Sequence, residues 1–444
     1  MNEYDVVVIG IGTAGETAAG MLRDAGKRVA IIDQGPVGGT CALRDCQPKK
    51  VFVVNTQLVA ESRALAGKGV ESAATVNWGA LKRFKRTFTD PIPQKTKASL
   101  EASGIDVFVE RATLTGSHTV LLTESDRELH ATNVILATGA RSRELSVPGA
   151  ELAATSDDFL ELETLPESMI FIGGGYISME FAFIAAVAGS KVTILQRGPR
   201  MLPQFSASLV DPVVEAGKKH GISFVADASV TGIGHGGDGY SVATAEKGSF
   251  TAAWVMGAIG RAPNVEGMGL DAAGVTASGR GVEVNEYMET SGDGVYAIGD
   301  CVATKQLSPI GDMEARAAAT NILSPRTRRV EYGLVPSVVF THPQVASVGM
   351  TREHAASIGH VVTVKSGRGD GWASSRRLGG AAVYYETVTD ATNGKLLGAS
   401  ITGPYAGEQI NVFTAAIANG MTADAFRDTP WAYPTYASDL KYTV

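Results

Sequence analysis

The chain has 444 residues, of which 44% are hydrophobic and 19% charged, which is the composition of a folded protein with several domains. Its formal net charge of −7 argues against nucleic acid or an anionic membrane as a main partner. No apolar run reaches the ~18 residues of a membrane span, and the chain goes directly into a strand-like segment. We therefore expect a cytoplasmic protein without a signal peptide.

The first predicted element is a strand–helix–strand unit. The run YDVVVIG reads as a strand, ETAAGMLRDAGK has helical spacing, and RVAIID reads as a second strand. The turn after the first strand has the pattern G-x-G-x-x-G, formed by Gly10, Gly12 and Gly15 with Thr13 and Ala14 between them. Such a turn brings a pyrophosphate to the N-terminus of the helix, and an acid after the second strand, here Asp33, binds ribose hydroxyls. The unit predicts a dinucleotide site; a purely structural turn is the alternative.

Two of the three cysteines follow in the segment GGTCALRDCQPKK, ahead of the helical stretch VFVVNTQLVAESRALAG. A metal site would need more soft ligands than Cys41 and Cys46, and the third cysteine, Cys301, lies in another motif, so we expect no metal. A structural disulfide across so short a gap would constrain little of the chain and would tend to be reduced in the cytoplasm. A redox-active dithiol is the third interpretation, and it requires a source of electrons.

A second strand–helix–strand unit is predicted at residues 168–196, with Gly173 and Gly175 in its turn. Its second strand ends in QRGPR, which contains Arg197 and Arg200, where the first unit has an acid. An acid there would repel a 2′-phosphate, whereas arginines form charge-assisted hydrogen bonds with it. This site is predicted to prefer NADPH over NADH; an ordinary solvated loop is the alternative.

Three further segments each read as an apolar strand that ends in a glycine turn. They are NVILATGA, with Thr138 and Gly139; WVMGAIGRAPN, with Gly260; and TSGDGVYAIGD, with Asp300. From about residue 335 the pattern changes to short strands, SVVFT, HVVTVKS, AAVYYETV and KLLGASIT, followed by the helix GEQINVFTAAIANGM. This change predicts a separate α+β domain.

Together, and in this order, these motifs resemble those of the pyridine nucleotide–disulfide oxidoreductases, the group of glutathione reductase and dihydrolipoamide dehydrogenase. The matching segments are GIGTAG, GGTCALRDC, ILATGA, GGGYISME, AIGRAPN, GVYAIGD and PSVVFTHPQVASVGMT. The resemblance implies an α/β protein with two Rossmann-like dinucleotide-binding domains and a C-terminal α+β dimerisation domain. The implied domains are an FAD-binding domain at 1–145 and 268–330, an NAD(P)H-binding domain at 146–267 and an interface domain at 333–444.

The resemblance also implies the binding residues. Those expected to bind FAD are Gly10, Gly12, Thr13, Ala14, Gly15, Asp33, Gly39, Thr40, Lys50, Thr138, Gly139 and Asp300. Those expected to bind NADPH are Gly173, Gly175, Tyr176, Ile177, Glu180, Arg197, Arg200 and Gly260. Tyr176 matches a tyrosine that covers the flavin until nicotinamide displaces it. Lys50 and Glu180 match an ion pair beside the reactive nitrogen of the flavin.

The catalytic residues implied by the resemblance are Cys41, Cys46, Lys50, Glu180 and a C-terminal acid. Cys46 matches the cysteine that faces the flavin, and Cys41 matches the outer cysteine that attacks the substrate. Both thiols would lie near a helix N-terminus, which lowers the pKa of a thiol. Two electrons would pass from NADPH through FAD to a Cys41–Cys46 disulfide and on to a small disulfide, in a homodimer whose tail completes the partner's site.

The chain departs from the family pattern at several positions. In the tail WAYPTYASDLKYTV, Tyr433 occupies the place of the family's histidine and Ser438 that of its glutamate, with Asp439 adjacent. A phenol can donate a proton but is a poor base at neutral pH. Asp45 stands beside Cys46 where the family has glycine, and its charge should raise the pKa of that thiol.

Glutathione is a doubtful substrate, because Gly20 and Met21 stand where glutathione reductases carry arginines. The sequence therefore predicts an FAD-dependent, NADPH-preferring reductase of a low-molecular-weight disulfide. The alternatives are a flavin-dependent reductase of a metal ion or quinone, a dihydrolipoamide dehydrogenase-like enzyme, and an FAD-binding redox sensor that is not an enzyme.

Overall fold

A computed structural model describes residues 3–237 and 239–444 of the protein. The described chain divides into two compact units, each assembled from separate segments. Unit 1 comprises 1–50, 83–143 and 261–332, and unit 2 comprises 51–82, 144–260 and 333–444. The boundaries of the FAD-binding, NAD(P)H-binding and interface domains given above stay a prediction.

The regular elements are numbered here in chain order. The strands are β1 (Glu3–Ile9), β2 (Val29–Asp33), β3 (Asp106–Val109), β4 (Ala112–Gly116), β5 (Thr119–Leu122), β6 (Arg127–Leu136), β7 (Ala140–Ser142), β8 (Ser168–Ile172), β9 (Lys191–Leu195), β10 (Ile222–Val225), β11 (Val230–Gly236), β12 (Gly239–Thr244), β13 (Gly248–Ala252), β14 (Trp254–Gly257), β15 (Arg261–Pro263), β16 (Ala277–Ser278), β17 (Gly281–Val282), β18 (Val295–Ala297), β19 (Ser337–Val339), β20 (Gln344–Gly349), β21 (Val362–Arg368), β22 (Tyr384–Asp390) and β23 (Leu396–Gly403). The α-helices are α1 (Thr13–Asp24), α2 (Gly39–Leu43), α3 (Cys46–Ala64), α4 (Trp78–Thr89), α5 (Ile92–Ala102), α6 (Ser156–Glu161), α7 (Tyr176–Ala188), α8 (Ala207–Lys219), α9 (Ser308–Leu323), α10 (Arg352–Ser357), α11 (Ala373–Arg377), α12 (Ala406–Ala418), α13 (Ala423–Asp428) and α14 (Tyr436–Asp439).

Unit 1 is built on a seven-stranded sheet in the order β3-β2-β1-β6-β5-β4, in which β18 also pairs with β6. The strands β3, β2, β1, β6 and β18 run parallel. Both faces of β1 are buried: Val6 and Val8 pack in one apolar cluster, and Val7 and Ile9 in another. Burial on both faces explains why the sequence of this strand is a continuous apolar run rather than an alternating one.

Unit 2 contains a four-stranded parallel sheet, β10-β9-β8-β14, and a three-stranded antiparallel sheet, β11-β12-β13. The helix between β8 and β9, α7, is apolar on nearly all sides, and eleven of its residues are buried, as expected for a helix enclosed by other elements. The rest of unit 2 includes the five-stranded antiparallel sheet β19-β20-β23-β22-β21, which packs against α12.

The predicted fold class is confirmed. Each unit contains a sheet with adjacent parallel strands and a strand–helix–strand unit at the predicted place, β1-α1-β2 in unit 1 and β8-α7-β9 in unit 2. The C-terminal segment forms the predicted α+β structure. Within the described residues, no helix combines the length and the apolar character that crossing a bilayer requires.

Candidate active site

In unit 1, the segments predicted to bind one dinucleotide follow the carboxyl ends of four parallel strands. The turn at Gly10 follows β1, Asp33 ends β2, Thr138 and Gly139 follow β6, and Asp300 follows β18. Because the strands are parallel, their carboxyl ends lie at the same edge of the sheet, where ligands bind in open α/β sheets. The structure therefore brings these residues to one edge of the sheet, and their binding of FAD stays a prediction.

The glycine turn after β1 cannot accept larger residues. Gly10 has φ +119°, and a Cβ atom there would lie 2.2 Å from the carbonyl oxygen of Ala137. A Cβ atom on Gly39, at the start of α2, would lie 2.5 Å from the Cα atom of Gly12. The turn and the segment leading to the cysteines thus approach each other backbone to backbone, which only glycine permits.

Asp33 holds this turn from the end of β2. Its Oδ2 accepts a hydrogen bond from the backbone N–H of Ile11 at 2.7 Å, and its Oδ1 accepts one from that of Gly35 at 2.9 Å. The carboxylate is therefore fixed beside the N-terminus of α1, which begins at Thr13 and includes Ala14 and Gly15. A helix N-terminus with free N–H groups attracts a phosphate.

Asp300 is a partly buried carboxylate to which no donor among the described residues hydrogen-bonds. Burial raises the pKa of this carboxyl; the nearby Arg261 opposes the rise and the charge of Asp45 adds to it. A carboxylate in this state can accept hydrogen bonds from ligand hydroxyl groups. Its neighbour Cys301 is fully buried, and burial raises the pKa of that thiol to about 11, so it stays protonated at neutral pH.

The two cysteines of the predicted dithiol lie next to the glycine turn. Cys41 is in α2, with Thr40 before it, and Cys46 is the first residue of α3. Both are free thiols, and they are hydrogen-bonded to each other. Thr13, the first residue of α1, also hydrogen-bonds to Cys41. The structure thus joins the dithiol directly to the turn predicted to hold FAD.

The two thiols ionise differently because they share this hydrogen bond. The bond from Cys46 is the main cause that lowers the pKa of Cys41 to about 6, with help from Ser308 and Thr13 and against burial and the charge of Asp45. The pKa of Cys46 is raised by its hydrogen bond with Cys41 and by burial. The pair therefore loses its first proton more readily than an isolated cysteine, and Cys41 carries the charge.

This result differs in one respect from the sequence-based expectation, which lowered the pKa of both thiols by a helix N-terminus. The hydrogen bond between Cys41 and Cys46 outweighs the position of Cys46 at the start of α3. A thiolate on Cys41 suits the outer, attacking role that the resemblance implied, because the thiolate is the nucleophile.

Sequence reasoning missed Ser308, the first residue of α9. Its Oγ lies 3.4 Å from Sγ of Cys46, close enough for a hydrogen bond between them. Ser308 is a hydrogen-bond partner of both thiols, and its contribution lowers the pKa of each. The Ser-Pro pair at the start of α9 indicates a helix beginning, but nothing in the local sequence relates it to a cysteine 262 residues away.

The glycine turn after β8 in unit 2 is built like the glycine turn after β1 in unit 1. Gly173 and Gly175 lie between β8 and α7, and Gln196 follows β9. Oε1 of Gln196 accepts a hydrogen bond from the N–H of Gly174 at 2.9 Å, as the Asp33 carboxylate does at the matching place in unit 1. A neutral amide thus replaces the acid with the same contact to the turn, and the sequence analysis had not assigned Gln196 this role.

The two arginines after β9 are placed differently. Arg197 is exposed. Arg200 instead donates hydrogen bonds within its own loop, from Nη1 to the carbonyl oxygen of Phe205 at 2.6 Å and from Nη2 to that of Pro203 at 2.8 Å. Arg200 is exposed as well, but its guanidinium is already held by the carbonyl oxygens of its own loop.

The other predicted residues of the nucleotide site belong to α7 or to the turn after β14. Tyr176 begins α7, and Ile177 is buried in its first turn. Glu180 is buried in the same helix, and its Oε1 accepts a hydrogen bond from the N–H of Phe340 at 2.7 Å. Gly260 has φ +114°, and a Cβ atom there would meet no atom within 4 Å. Lys50, the predicted partner of Glu180, lies in α3 within unit 1, and their pairing stays a prediction.

The C-terminal tail exposes the residue that replaces the family's histidine. The side chain of Tyr433 is 78% exposed. Ser438 is buried and, with Thr435, forms the capping box at the start of α14. Asp439 accepts a hydrogen bond from Ser374 through its Oδ2. Ser438 and Asp439 thus serve local structure within unit 2.

Two family models match this chain. The model described as pyridine nucleotide-disulphide oxidoreductase matches residues 4–321, and the dimerisation domain of the same group matches residues 335–444. The chain belongs to the pyridine nucleotide-disulphide oxidoreductase family. It is a flavoprotein enzyme of this family, which is FAD-dependent and uses a pyridine nucleotide. The C-terminal match supports a homodimer.

Similar proteins of this family carry several activities. A glutathione reductase of Nostoc sp. is 31% identical over 99% of this chain and 98% of its own length. A dihydrolipoyl dehydrogenase of Chlamydia muridarum is 32% identical over 98% of this chain and 95% of its own length. Among solved structures, the Cu(II) complex of the HOCl-induced flavoprotein disulfide reductase RclA from Escherichia coli has a TM-score of 0.90, with 26% identity over 100% of this chain and 99% of that one.

The residues of both turns fit the cofactors that the family uses. In unit 1, Asp33 is fixed where a ribose can bind. The carboxylate of Asp300 receives no hydrogen bond from the part of the chain that the structure describes, and it suits the hydroxyl groups of a ribityl chain. In unit 2, a Cβ atom on Gly175 would meet no atom within 4 Å, so the N-terminus of α7 keeps open space for a phosphate. FAD would be held by the first group and a nicotinamide nucleotide by the second.

Proposed function

We propose that this flavoprotein is an NADPH-preferring reductase of a low-molecular-weight disulfide and that it works through Cys41 and Cys46. The observation that carries the proposal is the placement of two free thiols, Cys41 in α2 and Cys46 at the start of α3, beside the glycine turn, with Oγ of Ser308 3.4 Å from the sulfur of Cys46. Cys301 is buried and protonated, so it offers no competing nucleophile. The protein is proposed to act as a cytoplasmic homodimer.

FAD, held by the turn at Gly10 and by Asp33 and Asp300, would supply the two-electron chemistry between the nicotinamide and the Cys41–Cys46 disulfide. The Cys41 thiolate then attacks one sulfur of the substrate disulfide, and the first product thiolate leaves and takes up a proton. The Cys46 sulfur, after losing its proton, attacks Cys41 in the mixed disulfide and releases the second thiol. Ser308 is placed to hydrogen-bond the Cys46 thiolate formed in that step. The products are two substrate thiols and the Cys41–Cys46 disulfide.

The preference for NADPH is supported by the residues that follow β9. Gln196 keeps the contact to the glycine turn without a negative charge that would repel a 2′-phosphate. The exposed Arg197 supplies a cation at the same strand end. A dihydrolipoamide dehydrogenase-like activity that uses NAD⁺ is less favoured, since Gln196 replaces the acid and Tyr433 replaces the imidazole base.

A second candidate acceptor is a metal ion, with the dithiol as electron relay. Two observations favour it: the similar structure of RclA is a Cu(II) complex, and the exposed tail residue is a tyrosine rather than an imidazole acid. Reduction of a metal ion does not require a proton on a leaving thiolate. Tyrosine in place of histidine at position 433 would therefore lower the rate of that reaction little. The described residues contain no cluster suited to a resident metal, and the ion would be a substrate.

The choice of acceptor can be tested by NADPH consumption in the purified holoenzyme. The assay would compare oxidised glutathione, other small cellular disulfides, lipoamide, a quinone and Cu²⁺, with NADH as the alternative donor. Turnover of a small disulfide with NADPH supports the proposal, and turnover of Cu²⁺ or quinone alone supports the second candidate. If NADPH reduces the flavin once but no acceptor sustains turnover, the protein acts as a sensor and the proposed enzyme function is wrong.

Tyr433→Phe is expected to lower kcat for the disulfide about 10²-fold, at the lower end of the ~10²–10⁴-fold range for a positioned acid. The phenol would no longer donate a proton to the leaving thiolate, so the alkaline limb of the pH–rate profile should disappear. The pH–rate profile of kcat is the deciding measurement. Tyr442→Phe removes a hydroxyl from another exposed tail tyrosine and should leave the profile unchanged. If the pH–rate profile is unaltered in both variants, Tyr433 does not donate a proton and has only a packing role.

A further inference from the structure

A carboxylate stands at the start of the helix that carries Cys46. Asp45 directly precedes α3, and its carbonyl oxygen accepts the backbone hydrogen bond of Lys49 at 3.0 Å, the first i→i−4 bond of this helix. Its side chain forms an ion pair one turn along the helix, with 2.7 Å between Oδ1 of Asp45 and Nζ of Lys49. The helix N-terminus that would stabilise a thiolate therefore already has an anion next to it.

The ion pair is enclosed mainly on the lysine side. The side chain of Lys49 is 4% exposed and that of Asp45 is 21% exposed. The Lys97–Glu101 pair on α5, by contrast, lies in solvent with about half of each side chain exposed. A charge is screened far less inside the protein than on its surface. The Asp45–Lys49 pair is therefore the arrangement that can act on its neighbours.

The neighbours it acts on include both cysteines. The groups that shift the Cys41 thiol are Cys46, Ser308 and Thr13 through hydrogen bonds, and Asp45 through its charge. The charge of Asp45 also opposes ionisation of Cys46. The carboxylate thus disfavours the thiolate form of the reduced pair, whereas the disulfide form carries no charge for it to act on.

We infer that the Asp45–Lys49 ion pair sets the redox equilibrium of Cys41 and Cys46, with Asp45 making the pair more strongly reducing and Lys49 limiting that effect. This inference rests on the proposed redox function of the cysteines. Reduction of the disulfide takes two electrons and leaves one thiol and one thiolate above the first pKa of the pair, with uptake of one proton. Below that pKa it leaves two thiols, with uptake of two protons. Asp45 raises the free energy only of the product that carries a thiolate. It therefore changes the equilibrium between disulfide and dithiol above the first pKa of the pair.

The test equilibrates the FAD-loaded protein with mixtures of reduced and oxidised dithiothreitol at pH 8. Alkylation of free thiols followed by mass spectrometry then gives the fraction of Cys41–Cys46 disulfide. Asp45→Asn should shift the equilibrium about tenfold towards the dithiol, a change of about 30 mV for a two-electron couple. At pH 5, below the first pKa of the pair, only a small fraction of the reduced pair carries a thiolate, so the shift should be much smaller than at pH 8.

Lys49→Met should move the equilibrium about tenfold in the opposite direction, because the charge of Asp45 is then unopposed. The double variant should return close to the original equilibrium. Glu101→Gln is the matched control, since it removes one acid from an exposed acid–lysine pair in the same unit; it should change nothing. If Asp45→Asn does not retain FAD, Lys49→Met alone still tests the direction of the effect.

The redox role of the cysteines and the effect of the ion pair on them give different results when either is absent. If the unmodified protein never forms a Cys41–Cys46 disulfide in any mixture, the proposed function is overturned, and this inference with it. If the disulfide forms but Asp45→Asn and Lys49→Met leave its equilibrium unchanged and only lower the melting temperature, the ion pair is a helix cap and the inference alone is wrong.

Discussion

Cys41→Ser is expected to lower disulfide turnover at least ~10³-fold, as removal of a nucleophile commonly does, while NADPH still reduces the bound flavin at an unchanged rate. The reason is the position of Cys41 in the electron path. Cys41 carries the more acidic thiol of the pair and is expected to attack the substrate, whereas the nucleotide turn lies in the other unit. A serine hydroxyl stays protonated at neutral pH and cannot form a disulfide.

Two measurements on one preparation separate these steps. Stopped-flow absorbance follows reduction of the flavin by NADPH, and a steady-state assay follows thiol production. Cys301→Ser is the matched control: it makes the same exchange at a buried thiol whose Sγ hydrogen-bonds to the backbone carbonyls of Leu136 and Ile298, so turnover should persist. Unchanged turnover in Cys41→Ser would remove this residue from the mechanism.

A metal-ion acceptor would give a different pattern. If electrons leave the flavin directly, Cys41→Ser should keep reduction of Cu²⁺ while it loses reduction of disulfides. If the dithiol relays electrons to the ion, both activities should fall together. The variant therefore distinguishes a relay from a bypass as well as testing the nucleophile.

The sequence predicted the elements that carry the nucleotide turns because their signals are local. Gly10 has a positive φ and closely approaches the backbone of Ala137. Both features require glycine, so the requirement is visible in the sequence itself. The apolar runs of β1 and β8 likewise follow from burial on both faces of a parallel sheet. The fold class and the positions of the turns could be predicted from the sequence because these signals are local.

The sequence could not predict the ionisation of the thiol pair or its partners. The order of the two thiol pKa values follows from one hydrogen bond between Cys41 and Cys46, whose direction no spacing reveals. Ser308 reaches Cys46 only through the folded chain. The different contacts of Arg197 and Arg200 depend on the path of a short loop, although the two residues look equivalent in the sequence.

Arg197→Ala is expected to raise KM for NADPH ~10–100-fold, the cost of losing charge-assisted hydrogen bonds of ~1.5–3 kcal/mol to a phosphate, and to leave KM for NADH nearly unchanged. Arg197 is exposed after β9, on the strand whose end holds Gln196 against the glycine turn. NADH lacks the 2′-phosphate, so the substitution removes no contact to NADH at this position. Steady-state kinetics with both nucleotides and one fixed acceptor measure the ratio.

Arg200→Ala provides the informative comparison, since the sequence analysis gave both arginines the same role. Its guanidinium is already bonded to the carbonyl oxygens of Pro203 and Phe205, so its loss should loosen the loop and weaken NADPH and NADH alike. Arg280→Ala, which removes an exposed arginine from unit 1, controls for the change in net charge. Equal effects of Arg197→Ala on the two nucleotides would refute the phosphate contact, because no interaction with a group that NADH lacks can change the binding of NADH.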